Sequence, residues 1–494
     1  MRTQSANRLT SRTAILLLGV SLFSLTGCSH LNMDGLKPAK TEIVANVPAA
    51  KLDAVKATPK WVEPAPERMP TTDWIAEFND ATLNSLVNEA MGANTNVRLA
   101  AARLAAAEAG AKASRSGLYP SINASSNATH RESANGDIPG SNSLSLGGSV
   151  SWEVDMWGRV RDTANAGDIE AAASNADYAG TRLSIAGATT QTWFNLIEAK
   201  QQLDLAKRNV QTQERALRLT KRRFDGGISG SSDYRLARSA LANAQATLAF
   251  RKQNRSAISR QLETLLRRYP EAELLASAEL PMLPPLTGAG TPDEIFLRRP
   301  DLLAAEHRMQ AQGLRVDISK KNLLPRLTLS GNASTGGRSI SRLFNLESLI
   351  ASVAGGLTAP VFQGGALRAD VARNEAVLTQ LLENYADITL TAYREVENAL
   401  DAEEHLQERE RALKVSLEEA QKAEQRLEQR FSEGLASILQ LLDSQTRRNN
   451  TEGQYIAARK ERLANRVRLH LALGGGVYGA EPVREKLPKP KFVR

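Results

Sequence analysis

A run of 68 residues, from Ala366 to Glu433, contains neither glycine nor proline. Its apolar residues recur at intervals of three, four or seven positions between Val371 and Phe431, which is the spacing of a coiled-coil seam. A single helix of this length would measure about 100 Å. The stretch 159–225 is also free of proline, although three glycines interrupt it, and it predicts a second long helix.

Shorter helical patterns accompany each long one. Each long stretch ends in Phe-x-x-Gly, which predicts a tight turn because glycine readily adopts positive φ. Helical runs return from these turns over 232–268 and 437–473. Two further runs, 80–117 and 292–323, precede the long ones.

Four segments between the helical runs alternate apolar and small or polar residues. They span 121–130, 143–154, 326–334 and 349–361. Segments of about ten residues with period two are typical of membrane β-strands, although any one of them could be an ordinary soluble hairpin strand. Four strands leave two open edges, which hydrocarbon does not tolerate, so a membrane barrel must be shared between chains. Two chains would give eight strands and three would give twelve.

The two halves of the chain carry the same landmarks in the same order. The Leu-x-Pro motif at 118–120 returns at 323–325, and Arg-Phe-x-x-Gly at 223–227 returns at 430–434. The offset of about 205 to 207 residues is too long for a solenoid unit. The sequence therefore predicts a duplicated half-structure, mixed α and β but mainly α, with a first repeat at 73–270 and a second at 271–475.

The N-terminus has the pattern of a targeting segment. Several arginines and the apolar stretch 14–25 lead to Leu-Thr-Gly-Cys at 25–28, which resembles a bacterial lipobox. We expect 1–27 to be a signal peptide and Cys28, the only cysteine, to be acylated. Ser29 follows it instead of the aspartate that would favour the inner membrane, so we expect an outer-membrane anchor. The proline-rich segment 28–72 then predicts a lipidated linker.

The distribution of charge and the lack of known site motifs in the sequence exclude several classes of function. The net charge of +9 comes largely from arginines in the leader and from a basic tail at 476–494, so we do not expect a nucleic-acid partner. The five histidines are scattered without metal-ligand spacing. Phosphate-binding and nucleophile motifs are also missing from the sequence. We expect neither a cofactor nor an enzymatic activity.

Five short strings carry a family resemblance. They are Trp-x-x-x-Phe-x-Asp at 74–80, Trp-Glu-Val-Asp-x-Trp-Gly-Arg at 152–159, Leu-Arg-Arg-Pro-Asp at 297–301, Pro-Val-Phe-x-Gly-Gly at 360–365 and Arg-Glu-Val-Glu-Asn-Ala-Leu at 394–400. In this order they resemble outer-membrane efflux proteins of the TolC type, and most closely the lipoprotein branch called the NodT family, which includes OprM.

The resemblance implies a homotrimer with a shared 12-stranded β-barrel in the outer membrane and an α-helical barrel in the periplasm. It implies a passive exit duct for small molecules such as drugs, working with a periplasmic adaptor and an inner-membrane pump. Two other functions stay open: a lipid-anchored structural coiled-coil assembly, and a stand-alone porin.

The two Phe-x-x-Gly turns are the candidate adaptor-contacting tips. The residues concerned are Phe224 and Gly227 in the first turn, and Phe431 and Gly434 in the second. We expect each glycine to have positive φ and each phenylalanine to pack against the last turn of its helix. The alternative is a plain helix hairpin that meets no partner.

The resemblance also implies a periplasmic gate after the second tip. In TolC itself, aspartates six and nine residues after the tip glycine narrow the entrance. Here Asp443 occupies the second position and Gln440 the first, with Leu439 and Leu442 expected beside them as an apolar constriction. A ring of Asp443 carboxylates would favour cations, although Asp443 could also be an ordinary residue of the helix surface.

One further aspartate follows the first tip. We expect Asp233 to hold the closed hairpins together. Ala436 occupies the position where TolC has an arginine, so the sequence does not identify a side chain that would pair with Asp233.

Overall fold

The computed structural model describes residues 60–63, 65, 73–132 and 140–475. The predicted signal peptide 1–27, the lipidation site Cys28, most of the linker 28–72 and the basic tail 476–494 lie outside the described residues.

Helices make up most of the described chain. The eight α-helices are α1 (Ala81–Ala93), α2 (Thr95–Ser116), α3 (Arg159–Asp225), α4 (Ser231–Leu265), α5 (Pro300–Lys321), α6 (Ile340–Leu343), α7 (Ala366–Ser432) and α8 (Ile438–Ala472). Both α3 and α7 contain 67 residues, which confirms the two predicted long helices. Each is therefore about 100 Å long.

Both long helices begin at a glycine in the left-handed region. Gly158 precedes α3 with φ 74°, and Gly365 precedes α7 with φ 85°. At α3 the carboxylate of Asp155 accepts hydrogen bonds from the backbone N–H groups of Val160 and Arg161, both at 2.9 Å. A carboxylate in this position satisfies helix donors that otherwise lack partners and complements the helix dipole. This explains the aspartate and the glycine of the Asp-x-Trp-Gly-Arg string.

The predicted single run 80–117 is wrong in one respect, because the structure breaks it into α1 and α2 at Asn94. The backbone of Asn94 is extended, with ψ 135°, and its side-chain oxygen accepts a hydrogen bond from the N–H of Asn96 at 2.8 Å. Its side-chain nitrogen donates to the carbonyl of Leu265 at 2.8 Å. Asparagine often ends one helix and caps the next in this way.

The second predicted run, 292–323, is likewise divided. A short 3-10 turn spans Pro292–Leu297, and α5 begins at Pro300. Proline at the first helical position has no N–H that would need a partner.

The four predicted strands form one antiparallel sheet in the order β1 (Ser121–Arg131), β2 (Ser141–Val154), β3 (Arg326–Gly337) and β4 (Ile350–Thr358). β1 and β4 are its two edges. β4 is shorter than predicted: its pairing with β3 ends at Thr358, opposite Arg326. Pro360 follows shortly afterwards and has no N–H for a ladder.

The largest buried cluster joins the entry motif to α3. Trp74, Phe78, Trp193 and Phe194 are almost completely buried in it. The indole N–H of Trp193 donates to the carboxylate of Asp80 at 2.7 Å, while the other oxygen of Asp80 caps α1. The entry motif therefore serves the packing of this core.

Arg299 links three elements at a buried site. Its guanidinium forms a two-point ion pair with Asp301 and contacts Glu395 at 2.7 Å and the carbonyl of Ala472 at 2.9 Å. Burial lowers the pKa of Arg299, but these two carboxylates outweigh that effect and the net pKa lies above its ordinary value. The Leu-Arg-Arg-Pro-Asp and Arg-Glu-Val-Glu strings of the sequence meet here.

The described part of the linker lies against α7. The indole of Trp61 donates to the carbonyl of Gly290 at 3.0 Å and packs edge-on against Tyr393. The carboxylate of Glu397 accepts hydrogen bonds from the backbone N–H groups of Val62 and Glu63. These contacts fix the linker to the folded body at residues 61–63.

Candidate functional site

The two tips have the same backbone geometry. Gly227 has φ 72° and Gly434 has φ 83°, which confirms the predicted positive φ at both turns. After α3, the N–H of Ile228 donates to the carbonyl of Arg223, and that of Gly227 to Phe224. After α7, the pairs Leu435 to Arg430 and Gly434 to Phe431 repeat the pattern. Both turns are Schellman motifs, in which glycine satisfies the last helix carbonyls without a Cβ clash.

The two phenylalanines differ in their surroundings. Phe431 is 3% exposed and lies in one apolar cluster with Ala216, Ile438 and Leu441, which belong to α3 and α8 and not to its own helix α7. Phe224 is 39% exposed and stacks on Tyr234 of the returning helix at 5.7 Å between ring centroids. Phe224 therefore packs on the returning helix α4, which differs from the predicted packing against its own helix α3.

Arg223 connects the two tips. Its Nη1 donates to the carbonyl oxygen of Phe431 at 2.8 Å, and its guanidinium lies 4.9 Å from the centroid of the Phe431 ring. A guanidinium over an aromatic face adds a cation–π attraction to the hydrogen bond. The sequence showed Arg223 in the repeated motif but gave no sign that it reaches the other hairpin.

Further contacts between α3 and α8 extend away from the tips. Gln213 donates to Gln445 at 3.1 Å, and Gln202 donates to the carbonyl of Gly453 at 2.8 Å. Arg208 forms an ion pair with Glu452. Together with the apolar contacts around Phe431, they join the hairpin α3–α4 to the hairpin α7–α8 within one chain.

The candidate gate residues lie in the first turns of α8. The carboxylate of Asp443 accepts a hydrogen bond from Nε of Arg447 at 2.9 Å, and both side chains are exposed. Gln440 forms a reciprocal capping box with Ser437. Gln440 therefore contributes to the start of the helix, and Asp443 has a cationic neighbour, Arg447, one turn later in the same helix.

The two gate leucines point in different directions. Leu439 is 63% exposed, whereas Leu442 is 7% exposed within the apolar cluster around Phe431. The expectation that Leu442 adds to a constriction is wrong, because its side chain is buried within its own chain. The helix period alone could not reveal which face of α8 packs on α3.

Asp233 lies in the first turn of α4 and is partly buried. An acidic residue there complements the positive end of the helix dipole. Among the described residues, Asp233 takes no part in the hydrogen bonds that join the two hairpins, and at the tips Arg223 joins them.

No group of three or more histidine, cysteine, aspartate or glutamate side chains in the part of the chain that the structure describes could hold a metal ion. Among the described helices, none combines the length and the apolar character needed to cross a membrane.

Comparison with known proteins identifies the family of this chain. The model of the outer membrane efflux protein family matches residues 86–266 and 291–475. The chain belongs to this family. The two matched segments contain the two predicted repeats in large part, including both tips.

Individual relatives agree with this assignment. The pyoverdine export outer membrane protein OpmQ of Pseudomonas putida is 29% identical over 439 residues, covering 86% of this chain and 93% of OpmQ. The probable outer membrane lipoprotein SilC of Salmonella typhimurium is 24% identical over 466 residues, covering 93% of this chain and 98% of SilC.

A solved structure supports the fold. The outer-membrane channel OprN has a TM-score of 0.78 and 27% identity, covering 85% of this chain and 97% of OprN. The protein therefore has the TolC-type channel fold and is an outer-membrane component of an efflux system.

Proposed function

We propose that three copies of this chain form the outer-membrane exit duct of a tripartite efflux assembly. Family membership supports the efflux role. The observation that carries a barrel shared between copies is the four-stranded sheet, whose edge strands β1 and β4 have no further strand beside them among the described residues. Backbone groups at an open edge cannot remain unpaired in hydrocarbon. Three sheets joined edge to edge would close a barrel of twelve strands.

Apolar side chains on the edge strands favour a lipid-facing sheet. Val353 is 88% exposed and Leu357 67%, both on β4, and Ile122 on β1 is 78% exposed; the register of the sheet puts all three on one face. Exposed apolar side chains at this density mark a surface that another apolar phase covers. Outer-membrane lipid is that phase in this proposal.

The periplasmic end of the duct carries the two tips. We assign the turns at Gly227 and Gly434 as the surface that meets a periplasmic adaptor, which in turn connects to an inner-membrane pump. The duct itself performs no chemical reaction. Since OpmQ is a pyoverdine export protein, the cargo class we propose is small molecules, including drugs and other toxic compounds.

Cys28 provides a second attachment in this proposal. Its lipobox context and the similarity to SilC, a probable lipoprotein, support acylation. The barrel already secures the trimer, so acylation adds anchoring without being needed for the fold. Mass spectrometry of the mature N-terminus tests this directly. An unmodified chain that begins elsewhere would remove the lipid anchor from the proposal.

The decisive experiment measures the native mass of the purified protein and the ability of its gene to restore export in a deletion strain. The purified protein should have the mass of three chains, and a deletion strain should regain resistance to toxic compounds only with the intact gene. A monomeric protein would contradict the trimeric duct, and normal resistance in the deletion strain would contradict the export role.

A further inference from the structure

The sheet has one apolar face and one polar face. Because neighbouring residues of a strand point to opposite sides, the register assigns every strand residue to one of these faces. Ile122, Val353 and Leu357 lie on the apolar face, which meets lipid in the proposal above. The polar face consists of the odd positions of β1 and β2 and the even positions of β3 and β4. In a closed barrel the polar face lines the lumen.

Hydroxyl and amide side chains make up most of the polar face. β1 carries serine, asparagine or threonine at all odd positions of 121–129, and β2 carries serine at all odd positions of 141–151 except Gly147. On β3 the even positions of 328–334 are threonine, serine or asparagine. A wall of this kind offers hydrogen bonds to cargo but no charge.

Charged side chains occur on the polar face only near the strand ends. Among the described strand residues of this face they are Arg131, Glu153 and Arg326. Arg131 ends β1 on the outer side of the barrel, whereas Glu153 and Arg326 lie on the periplasmic side, next to the helices. The charge of Glu153 is neutralised, because its two oxygens accept hydrogen bonds from Arg159 at 3.1 and 2.7 Å.

Arg326 keeps its positive charge without such a partner. Its side chain is exposed, and Nη2 donates a hydrogen bond to the neutral Oδ1 of Asn322 at 2.8 Å. No carboxylate of the described residues forms an ion pair with Arg326. The indole N–H of Trp157 donates to the carbonyl of Pro325 at 2.7 Å, which fixes the backbone directly before Arg326. Arg326 is therefore a cation held at the periplasmic mouth of the barrel.

The neighbouring charges leave the positive sign of this mouth in place. Lys321 forms an ion pair with Asp162, and the carboxylate of Asp155 accepts hydrogen bonds from backbone N–H groups at the start of α3. Arg161 and Arg368, in the first turns of α3 and α7, are exposed and add to the positive charge.

The internal repeat supplies one such arginine per chain. The Leu-x-Pro motifs at 118–120 and 323–325 align Ser121 of the first repeat with Arg326 of the second. Three copies therefore place three arginines and three serines in alternation around the mouth. A ring of arginines favours anions in a pore.

The candidate gate is too far away to cancel this charge. Asp443 lies beside the second tip, and the helix α7 that connects this tip to the barrel is about 100 Å long. This length is about ten times the Debye length at a salt concentration of about 0.1 M. The two ends of the duct therefore act on cargo independently.

We infer that Arg326 of three copies forms a cationic ring at the periplasmic mouth of the β-barrel and that the barrel favours anionic cargo. The cargo class is small molecules with carboxylate or phosphate groups, which the ring attracts and the hydroxyl-lined wall then accepts by hydrogen bonds. This rests on the trimeric duct proposed above.

Reversal potentials in planar bilayers under a KCl gradient test the ring. All variants carry Asp443→Ala, which removes the carboxylates of the candidate gate. Arg326→Ser should lower the ratio of chloride to potassium permeability about twofold at about 0.1 M salt. The effect should vanish at about 1 M salt, where the Debye length falls to about 3 Å. Arg326→Lys is the matched control and should keep the ratio, because it retains the charge.

Ser121→Arg provides a second variant with the opposite sign. It adds three cations at the equivalent positions of the first repeat and should raise the same ratio about twofold. It also decides the test if Arg326→Ser does not assemble. An unchanged ratio in conducting trimers of these variants would overturn the ring, as would an equal loss in Arg326→Lys. A protein that forms no trimer or does not conduct would instead contradict the proposed duct.

Release of two dyes from liposomes extends the test to cargo. The dyes have equal size, and one carries carboxylates where the other carries ammonium groups. With Asp443→Ala in place, the carboxylate dye should leave at least about twofold faster, and Arg326→Ser should abolish this difference. Equal release of both dyes through trimers that retain Arg326 would overturn the assignment of anionic cargo.

Discussion

The side chain of Arg223 joins the two helix hairpins, because it donates a hydrogen bond to the carbonyl oxygen of Phe431 and also lies over the Phe431 ring. Nη1 of Arg223 lies 2.8 Å from the carbonyl oxygen of Phe431. Arg430 occupies the equivalent position in the second repeat, yet its Nη2 donates to Leu435 within its own hairpin at 3.3 Å. The duplication therefore produced two residues of the same type with different partners.

Substitution of Arg223 by glutamine should loosen the second tip. A hydrogen bond from a charged donor contributes about 1.5 to 3 kcal/mol, so local opening should become at least about tenfold more frequent. Amide hydrogen exchange at Gly434 and Leu435 would report this. Arg430→Gln is the control and should leave the first hairpin unchanged. Unchanged exchange in Arg223→Gln would show that the contact does not hold the hairpins together.

A side chain at Gly434 should impair export without removing the trimer. The φ of 83° places a Cβ in the left-handed region, which costs about 1 to 2 kcal/mol. Gly434→Val should lower export, whereas Gly434→Asn should retain more of it because asparagine tolerates this conformation. Resistance assays with trimer levels measured in parallel check the prediction. Full export by the valine variant would count against adaptor docking at this turn.

Two substitutions at the candidate gate should act in opposite directions. Asp443→Ala should lower cation preference and weaken block by divalent ions, because in a ring of three copies it would remove three facing carboxylates. Arg447→Gln should raise the cation preference and strengthen the block by divalent ions, since it removes the cation that lies 2.9 Å from Asp443. Reversal potentials in planar bilayers measure the preference. If neither variant changes it, Asp443 has no part in the gate.

The segment between the repeats should loosen in acid. Burial raises the pKa of Glu263, but hydrogen bonds from the three backbone N–H groups at 272–274 outweigh it, and the net pKa lies below the ordinary value of 4.5. A lowered pKa means that the carboxylate stabilises the fold above about pH 4.5, and this contribution is lost as the pH falls through the lowered pKa.

Amide exchange at 272–274 tests this acid sensitivity. Protection should be constant from neutral pH to about 4.5 and then fall, after correction for the intrinsic exchange rate. Glu263→Gln should show the lower protection already at neutral pH. Equal protection in this variant would assign the loop's order to other contacts, such as those of Arg255 with Ala272 and Leu274.

Much of the architecture could be predicted because it depends on local patterns. The absence of glycine and proline over 366–433 gave α7, and the positive φ at Gly227 and Gly434 followed from the need to close a helix end. The four strands followed from alternation with period two. Their pairing in one sheet follows from contacts between the two halves, which the sequence does not record directly.

The predictions that differ from the structure concern features that depend on tertiary contacts. The break at Asn94 is fixed by Leu265, more than 170 positions away. Leu442 is buried because α3 covers that face of α8, and Phe224 stacks on Tyr234 of α4 and stays 39% exposed. Helical periodicity identifies a face of a helix but not the element that will cover it.

Single-channel recording of the purified trimer tests the central claim most directly. An exit duct with joined tips predicts small, intermittent conductance that rises strongly in the Arg223→Gln variant, since that substitution loosens the periplasmic end. Steady open conductance in the unsubstituted protein would indicate a stand-alone porin, and no conductance in either protein would indicate a structural assembly. Either result would contradict the closable exit duct.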